Sequence, residues 1–216
     1  MPKRALIIVD AQNDFMPGGT LAVPRADEII PYINRMMQLP FDLIVATQDF
    51  HPPGHCSFAS TWGKRPGDHI KVKGVDQILW PDHCVQGSLG VEFAPDLDVS
   101  HFHRIVHKGV DPEIDSYSTF FDNLHMRTTG LEDWLRLHEI EELYFAGLAT
   151  DYCVLYSLRD AAALKFSSWV VTDACKGINL NEGDVARALS EVKKLGAHLI
   201  STEEVENLFS MRLETT

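Results

Sequence analysis

Positive charge is scarce in this sequence: 19 lysines and arginines face 31 aspartates and glutamates, leaving a net charge of −12 over 216 residues. A surface of that sign repels a phosphate backbone, which excludes nucleic acid as a partner. Long hydrophobic runs are also missing. The first apolar run, Ala5-Leu6-Ile7-Ile8-Val9, stops at Asp10, too short for a signal-peptide core and far short of the about 20 residues that cross a bilayer. We therefore expect no membrane partner and a cytoplasmic location. Only four cysteines are present, Cys56, Cys84, Cys153 and Cys175, widely spaced and without a CxxC pair. That excludes a small disulfide framework and leaves reduced thiols. Internal repeats and low-complexity tracts are absent, so neither a solenoid nor a disordered chain is in question.

What remains is an ordinary globular balance, 45% hydrophobic and 23% charged, in a length that fits one domain over residues 1–216. Short apolar runs at 5–9, 43–46, 105–107, 143–147, 169–172 and 198–200 read as strands. Between them, residues 29–37, 131–137, 153–164 and 185–195 carry apolar side chains at helical spacing, with Gly196 placed to end the last. Strands alternating with helices predict an α/β three-layer sandwich: a central, mostly parallel six-stranded sheet with helices on both faces. Asn181 with Asp184, and Ser201 with Glu204, resemble N-terminal caps and mark two helix starts. The stretch 52–82 is rich in Pro, Gly, His and Lys without clean periodicity, and reads as a long functional excursion.

In an open parallel sheet the ligand crevice lies outside the carboxyl ends of the strands, so polar residues just after the apolar runs are the first candidates. Asp10, Asp49, Lys108 and Cys153 occupy such places. Cys153 opens a helical pattern, where unpaired N–H groups and a nearby Lys108 would lower a thiol pKa, and Asp10 could move protons to and from it. Taken alone these residues leave a second reading open, in which Cys153 is core and Asp10 and Lys108 form a structural ion pair. Asp49 and His51 lie one residue apart and so share one side of an extended segment, which Pro52 favours; His83 would add a third ligand for a divalent ion. Chance proximity among ten histidines is the competing reading. His55 and Cys84 are second-rank candidates, one equally a hydrogen-bonding residue and the other equally a packing residue. The remaining histidines lack partners at ligand spacing. Phe15 and Trp80 can wall a slot for a flat ring.

With those residues assembled, the sequence resembles the nicotinamidases of the isochorismatase-like cysteine hydrolase superfamily over most of its length. The stretches that carry the resemblance are Asp10-Ala11-Gln12-Asn13-Asp14-Phe15 with Gly18-Gly19 and Leu21-Ala22-Val23, Thr47-Gln48-Asp49-Phe50-His51, and Trp80-Pro81-Asp82-His83-Cys84-Val85. They continue with His107-Lys108-Gly109, Asp115-Ser116-Tyr117-Ser118 and Gly147-Leu148-Ala149-Thr150-Asp151-Tyr152-Cys153-Val154. The resemblance implies a catalytic triad of Asp10, Lys108 and Cys153, and one divalent ion, zinc before iron or manganese, on Asp49, His51 and His83. It further implies that the ion binds the pyridine nitrogen of nicotinamide, the small-molecule partner, with the ring against Phe15, Trp80 and Tyr117. A cis Leu148–Ala149 peptide would aim the N–H groups of Ala149 and Cys153 at the oxyanion. Phe50 departs from the Trp found in many members, and the family differs within itself over the remaining metal ligand, which leaves the role of His55 open.

The implied activity is hydrolysis of nicotinamide, and of pyrazinamide, to the acid and ammonia through a cysteine thioester, feeding NAD salvage. Three rivals stand beside it. A carbamoyl-amide hydrolase of the same superfamily would share the triad but lack the metal set; a metal-hydroxide hydrolase would leave Cys153 structural; a binding protein would catalyse nothing. Self-association into a homo-oligomer is left open by the sequence.

Overall fold

The computed structural model describes residues 2–213. Its first strand, β1 (Lys3–Val9), shows why the sheet is enclosed. Ala5, Ile7 and Val9 enter one hydrophobic core while Leu6 and Ile8 enter another on the opposite face, and a strand apolar on both faces has to be covered on both. The other strands of this sheet are β2 (Leu43–Asp49), β5 (Arg104–Lys108), β6 (Ile140–Leu148), β7 (Ser167–Lys176) and β8 (His198–Ile200). Their order is β5-β2-β1-β6-β7-β8. Every neighbouring pair is parallel, so the sheet is wholly rather than mostly parallel.

Helices α1 (Ile30–Met36) and α5 (Thr202–Leu213) cover one face, placing Ile33, Met36, Val205 and Phe209 against Leu6, Ile8 and Tyr144. Helices α2 (Leu131–Leu137), α3 (Leu155–Ala163) and α4 (Asp184–Lys194) cover the other, with Leu131, Leu135, Leu158, Ala188 and Val192 against Ile7, Leu143 and Phe145. This is the expected α/β three-layer sandwich. From β1 the chain builds outward through β2 to β5, then returns to lay β6 along the other side of β1. The reversal opens a crevice between the carboxyl ends of β1 and β6.

Three local expectations change, and one holds. Residues 153–164 do not form one helix: a π-helical turn, Thr150–Val154, precedes α3 and holds Cys153. Such turns carry an extra residue and recur at functional sites. Helix α4 begins after Gly183, so Asn181 is not its cap; the Asp184 carboxylate accepts from the Asn181 N–H instead (2.7 Å). The Ser201 and Glu204 pair is reciprocal, with Glu204 Oε2 accepting from Ser201 N (2.7 Å) and Ser201 Oγ accepting from Glu204 N (3.3 Å), and it starts α5, for which no apolar period was read. The 52–82 excursion contains an antiparallel hairpin of β3 (His69–Val72) and β4 (Val75–Ile78), whose largely exposed residues left no hydrophobic pattern to read.

Candidate active site

Four adjacent strands end at one rim. Lys108 is the last residue of β5 and Asp49 the last of β2; Asp10 follows β1, and β6 leads through the cis Leu148–Ala149 peptide into the turn holding Cys153. Parallel pairing sets Asp49 beside Lys108. The Lys108 ammonium, fully buried, is the hub. It lies 2.7 Å from Asp10 Oδ2, in contact with Asp49 Oδ1, and 3.2 Å from Cys153 Sγ, and it also donates to the Ser116 carbonyl (3.3 Å). A buried ammonium needs such company, since unpaired it would be strongly destabilising. Thr47 donates to Asp10 Oδ1 (2.6 Å), fixing the carboxylate from the far side.

The charges in this cluster set one another. Burial raises the Asp10 carboxyl to about 6, Asp49 adding to the rise and Lys108 opposing it. Burial works against the Asp49 charge too, but Lys108, His51 and His83 outweigh it and hold that carboxyl well below the usual range. Burial would neutralise Lys108, and Asp10 and Asp49 hold it protonated instead. The Cys153 thiol departs from expectation. Burial pushes it well above its ordinary value, and Lys108 opposes that rise without reversing it. The lowered thiol pKa expected from a helix start is therefore corrected: enclosed among two carboxylates, the group keeps its proton until a base takes it.

Asp49 faces two imidazoles across its other oxygen. His51 Nε2 lies 3.8 Å and His83 Nε2 3.7 Å from Asp49 Oδ2. The second nitrogen of each ring is already engaged, His51 Nδ1 with the Gly109 carbonyl (2.9 Å) and His83 Nδ1 with the Pro81 carbonyl (2.7 Å). Those bonds orient both Nε2 atoms toward the carboxylate, an arrangement typical of metal-ligating histidines. Burial pushes His51 down to about 3, so it is neutral and able to ligate. For His83 burial acts the same way, but the Asp49 carboxylate facing it outweighs that and moves the ring up. The residues thus fit a divalent ion: one carboxylate and two pre-oriented imidazoles, all buried and within 4.8 Å of one another. His55 stacks on His51 (ring centroids 4.2 Å apart) and donates or accepts through Nδ1 at Ser57 Oγ (2.7 Å), while its buried Nε2 has no hydrogen-bond partner. Cys84 is buried and its thiol lies 3.9 Å from the Gly90 carbonyl, as a packing residue would.

A narrow cavity opens between these two groups. Phe15, Trp80, Tyr117 and Ala149 line it with Asp49, His83 and Cys153, so the expected slot residues come together. The Trp80 indole N–H donates to the Tyr117 hydroxyl (3.0 Å), locking two walls to each other. Leu21, Tyr152 and Ile178 complete the lining and were not singled out in the sequence. Ile178 lies just past the carboxyl end of β7, but as an apolar residue beyond the expected strand 169–172 it gave no signal to the strand-end rule. Gln12 was also passed over. Its side chain accepts from Asp49 N and donates to Asp49 O (2.8 Å each), bracing the residue at the centre of the site.

A wholly parallel three-layer fold with a cysteine, a lysine and a carboxylate beside a metal-type cluster narrows the class, and a family model, Isochorismatase domain, matches residues 4–204. The chain belongs to that family. It is 45% identical over 209 residues to the nicotinamidase of Escherichia coli, a match covering 95% of this chain and 98% of that protein. Among solved structures it resembles a nicotinamidase and pyrazinamidase from Acinetobacter baumanii with a TM-score of 0.91 and 42% identity, over 95% of this chain and 99% of the other. The pyrazinamidase of Pyrococcus horikoshii in complex with zinc matches with a TM-score of 0.75 and 38% identity, over 93% and 99%.

Proposed function

We propose that this chain, acting as one hydrolase domain, hydrolyses nicotinamide to nicotinate and ammonia, and pyrazinamide by the same route. One observation carries the reading: a single buried ammonium, Lys108 Nζ, touches the Asp10 carboxylate, the Cys153 thiol and the Asp49 carboxylate of the metal-type cluster. A nucleophile, a base and a ring-binding group are thereby held at fixed mutual distances. The kinship with nicotinamidases supports the substrate.

In the proposed course Asp10 takes the Cys153 proton and the thiolate sulfur attacks the carboxamide carbon, the C=O electron pair moving to oxygen. The N–H groups of Ala149 and Cys153 receive that oxyanion. On collapse the C–N bond breaks, Asp10 gives its proton to nitrogen, and ammonia leaves a thioester. Asp10 then deprotonates water, which attacks the thioester; the C–S bond breaks and the thiolate recovers the proton from Asp10. Lys108 keeps its charge throughout and stabilises whichever neighbour is anionic. Asp49, His51 and His83 would hold a divalent ion, zinc by analogy with the Pyrococcus horikoshii structure, and bound there it supplies a Lewis acid for the ring nitrogen. His55, stacked on His51 with its buried Nε2 unpartnered, is the candidate for a further ligand. Phe15, Trp80 and Tyr117 flank the ring. The four free buried cysteines suit a reducing cytoplasm, where nicotinate would enter NAD salvage.

The test is ammonia release from nicotinamide by the purified protein, with and without chelator, and by Cys153→Ala. We expect turnover by the wild type, loss on metal removal with recovery on zinc, and no turnover by the variant at unchanged metal content. Turnover by Cys153→Ala near the wild-type rate would overturn the covalent route in favour of a metal-hydroxide nucleophile.

A further inference from the structure

Of the buried carboxylates that the mechanism leaves unused, one lies beside the nucleophile. Asp151 sits in the π-helical turn two residues before Cys153 and is buried, yet it pairs with no basic side chain among the described residues. Its two oxygens accept from two successive N–H groups of the loop after β7: Oδ1 from Ile178 (2.9 Å) and Oδ2 from Asn179 (2.6 Å). Gly177 is pressed into the same junction, where a Cβ would lie 2.9 Å from Asp151 Oδ1 and 2.3 Å from Val185 Cγ2. Asn179 takes a left-handed backbone, and its side-chain oxygen accepts from Val185 N (3.3 Å) at the start of α4. The loop between β7 and α4 is thus fastened at its middle, and the residue it presents there, Ile178, lines the cavity with Tyr117, Tyr152 and Cys153.

We propose that Asp151 is a positioning residue that latches the 177–183 loop so that Ile178 forms part of the wall of the ring pocket and is tied to the turn carrying the nucleophile. This rests on the reading of the cavity as a flat-ring amide site. A carboxylate is suited to the task because two adjacent N–H groups need two acceptors, and charge-assisted bonds are stronger than neutral ones. An asparagine of the same shape offers one oxygen and turns an NH2 toward the second N–H, which then goes unsatisfied. The latch contacts the ring only through Ile178, and contact with an unreacting ring is made equally in ground and transition states. Its loss therefore raises KM and spares kcat.

The experiment compares wild type, Asp151→Asn, Ile178→Ala and the double variant in nicotinamide hydrolysis, with amide hydrogen exchange of residues 177–183 measured in parallel. We expect KM to rise by about tenfold in each single variant, the equivalent of one charged hydrogen bond or one small apolar contact, with kcat held within about threefold. The double variant should be no worse than the worse single one, because the two residues act through one contact. Exchange at Ile178 and Asn179 should quicken in Asp151→Asn and not in Ile178→Ala. Additive effects, a fall in kcat with KM unchanged, or unaltered exchange in Asp151→Asn would each overturn the latch. Failure of the substrate reading is seen separately, as a wild type that releases no ammonia from nicotinamide, and the exchange measurement still judges the latch in that case.

Discussion

At the scale of single residues, the site works because burial and charge oppose each other at each position. Asp10 is the clearest case. Only its deprotonated form can take the thiol proton, and burial has moved its carboxyl up to about 6. We therefore expect kcat/KM of the metal-loaded enzyme to be flat above that value and to fall about tenfold per pH unit below it. A profile flat down to pH 4 would remove Asp10 as the base. The two histidines make a second prediction. Each supplies one of three protein donors around Asp49, so His51→Ala or His83→Ala should lower bound zinc affinity by at least ~10-fold, since even outer partners of such ligands are worth that much. Metal analysis after dialysis measures it, and full retention in both variants would make the cluster structural.

At the scale of elements, the close approach of β1 and β6 decides how near Asp10 comes to the Cys153 turn. Gly147 is the residue that permits it. Its φ is +116°, and a Cβ there would lie 2.1 Å from the Val9 carbonyl oxygen, a backbone atom that cannot swing away. Gly147→Ala should therefore separate the strand ends, at a cost of at least ~2 kcal/mol from overpacking and backbone strain. For a chain of this size that lowers Tm by roughly 5 °C or more. Because the displaced segment leads directly into Leu148 and Ala149, kcat should fall as well, and thermal unfolding with steady-state kinetics on the same preparation checks both. An alanine variant with unchanged Tm would mean that the strands approach less closely than their register implies.

At the scale of the whole molecule, the pocket is assembled from six separated segments, and its specificity follows from which of them touch the ring. The aromatic and aliphatic walls distinguish poorly between flat amides, since so small a change of shape is worth only ~1–3 kcal/mol in an apolar pocket. If a divalent ion at Asp49, His51 and His83 holds a ring nitrogen, nicotinamide and pyrazinamide should be hydrolysed and benzamide poorly. Equal kcat/KM for benzamide and nicotinamide would end that role for the ion. Much of this was legible in the sequence, because it depends on local order. The apolar runs had to be strands of an enclosed parallel sheet, such a sheet collects its ligands at the carboxyl ends, and Asp10, Asp49, Lys108 and Cys153 stand there in the chain. Spacing allowed Asp49, His51 and His83 to share an ion and Phe15 and Trp80 to wall a slot, but left chance proximity and ordinary core packing open; the resemblance to nicotinamidases favoured the site reading. What the tertiary structure alone decided depends on contacts between distant segments and on their burial. No spacing rule foretold that Lys108 would touch three side chains at once, or that enclosure would raise the Cys153 thiol when a helix start argued the reverse. Nor does any local pattern join Asp151 to Ile178: a side chain accepting from a loop 27 residues away leaves no period in the sequence, and desolvation is a property of the finished core.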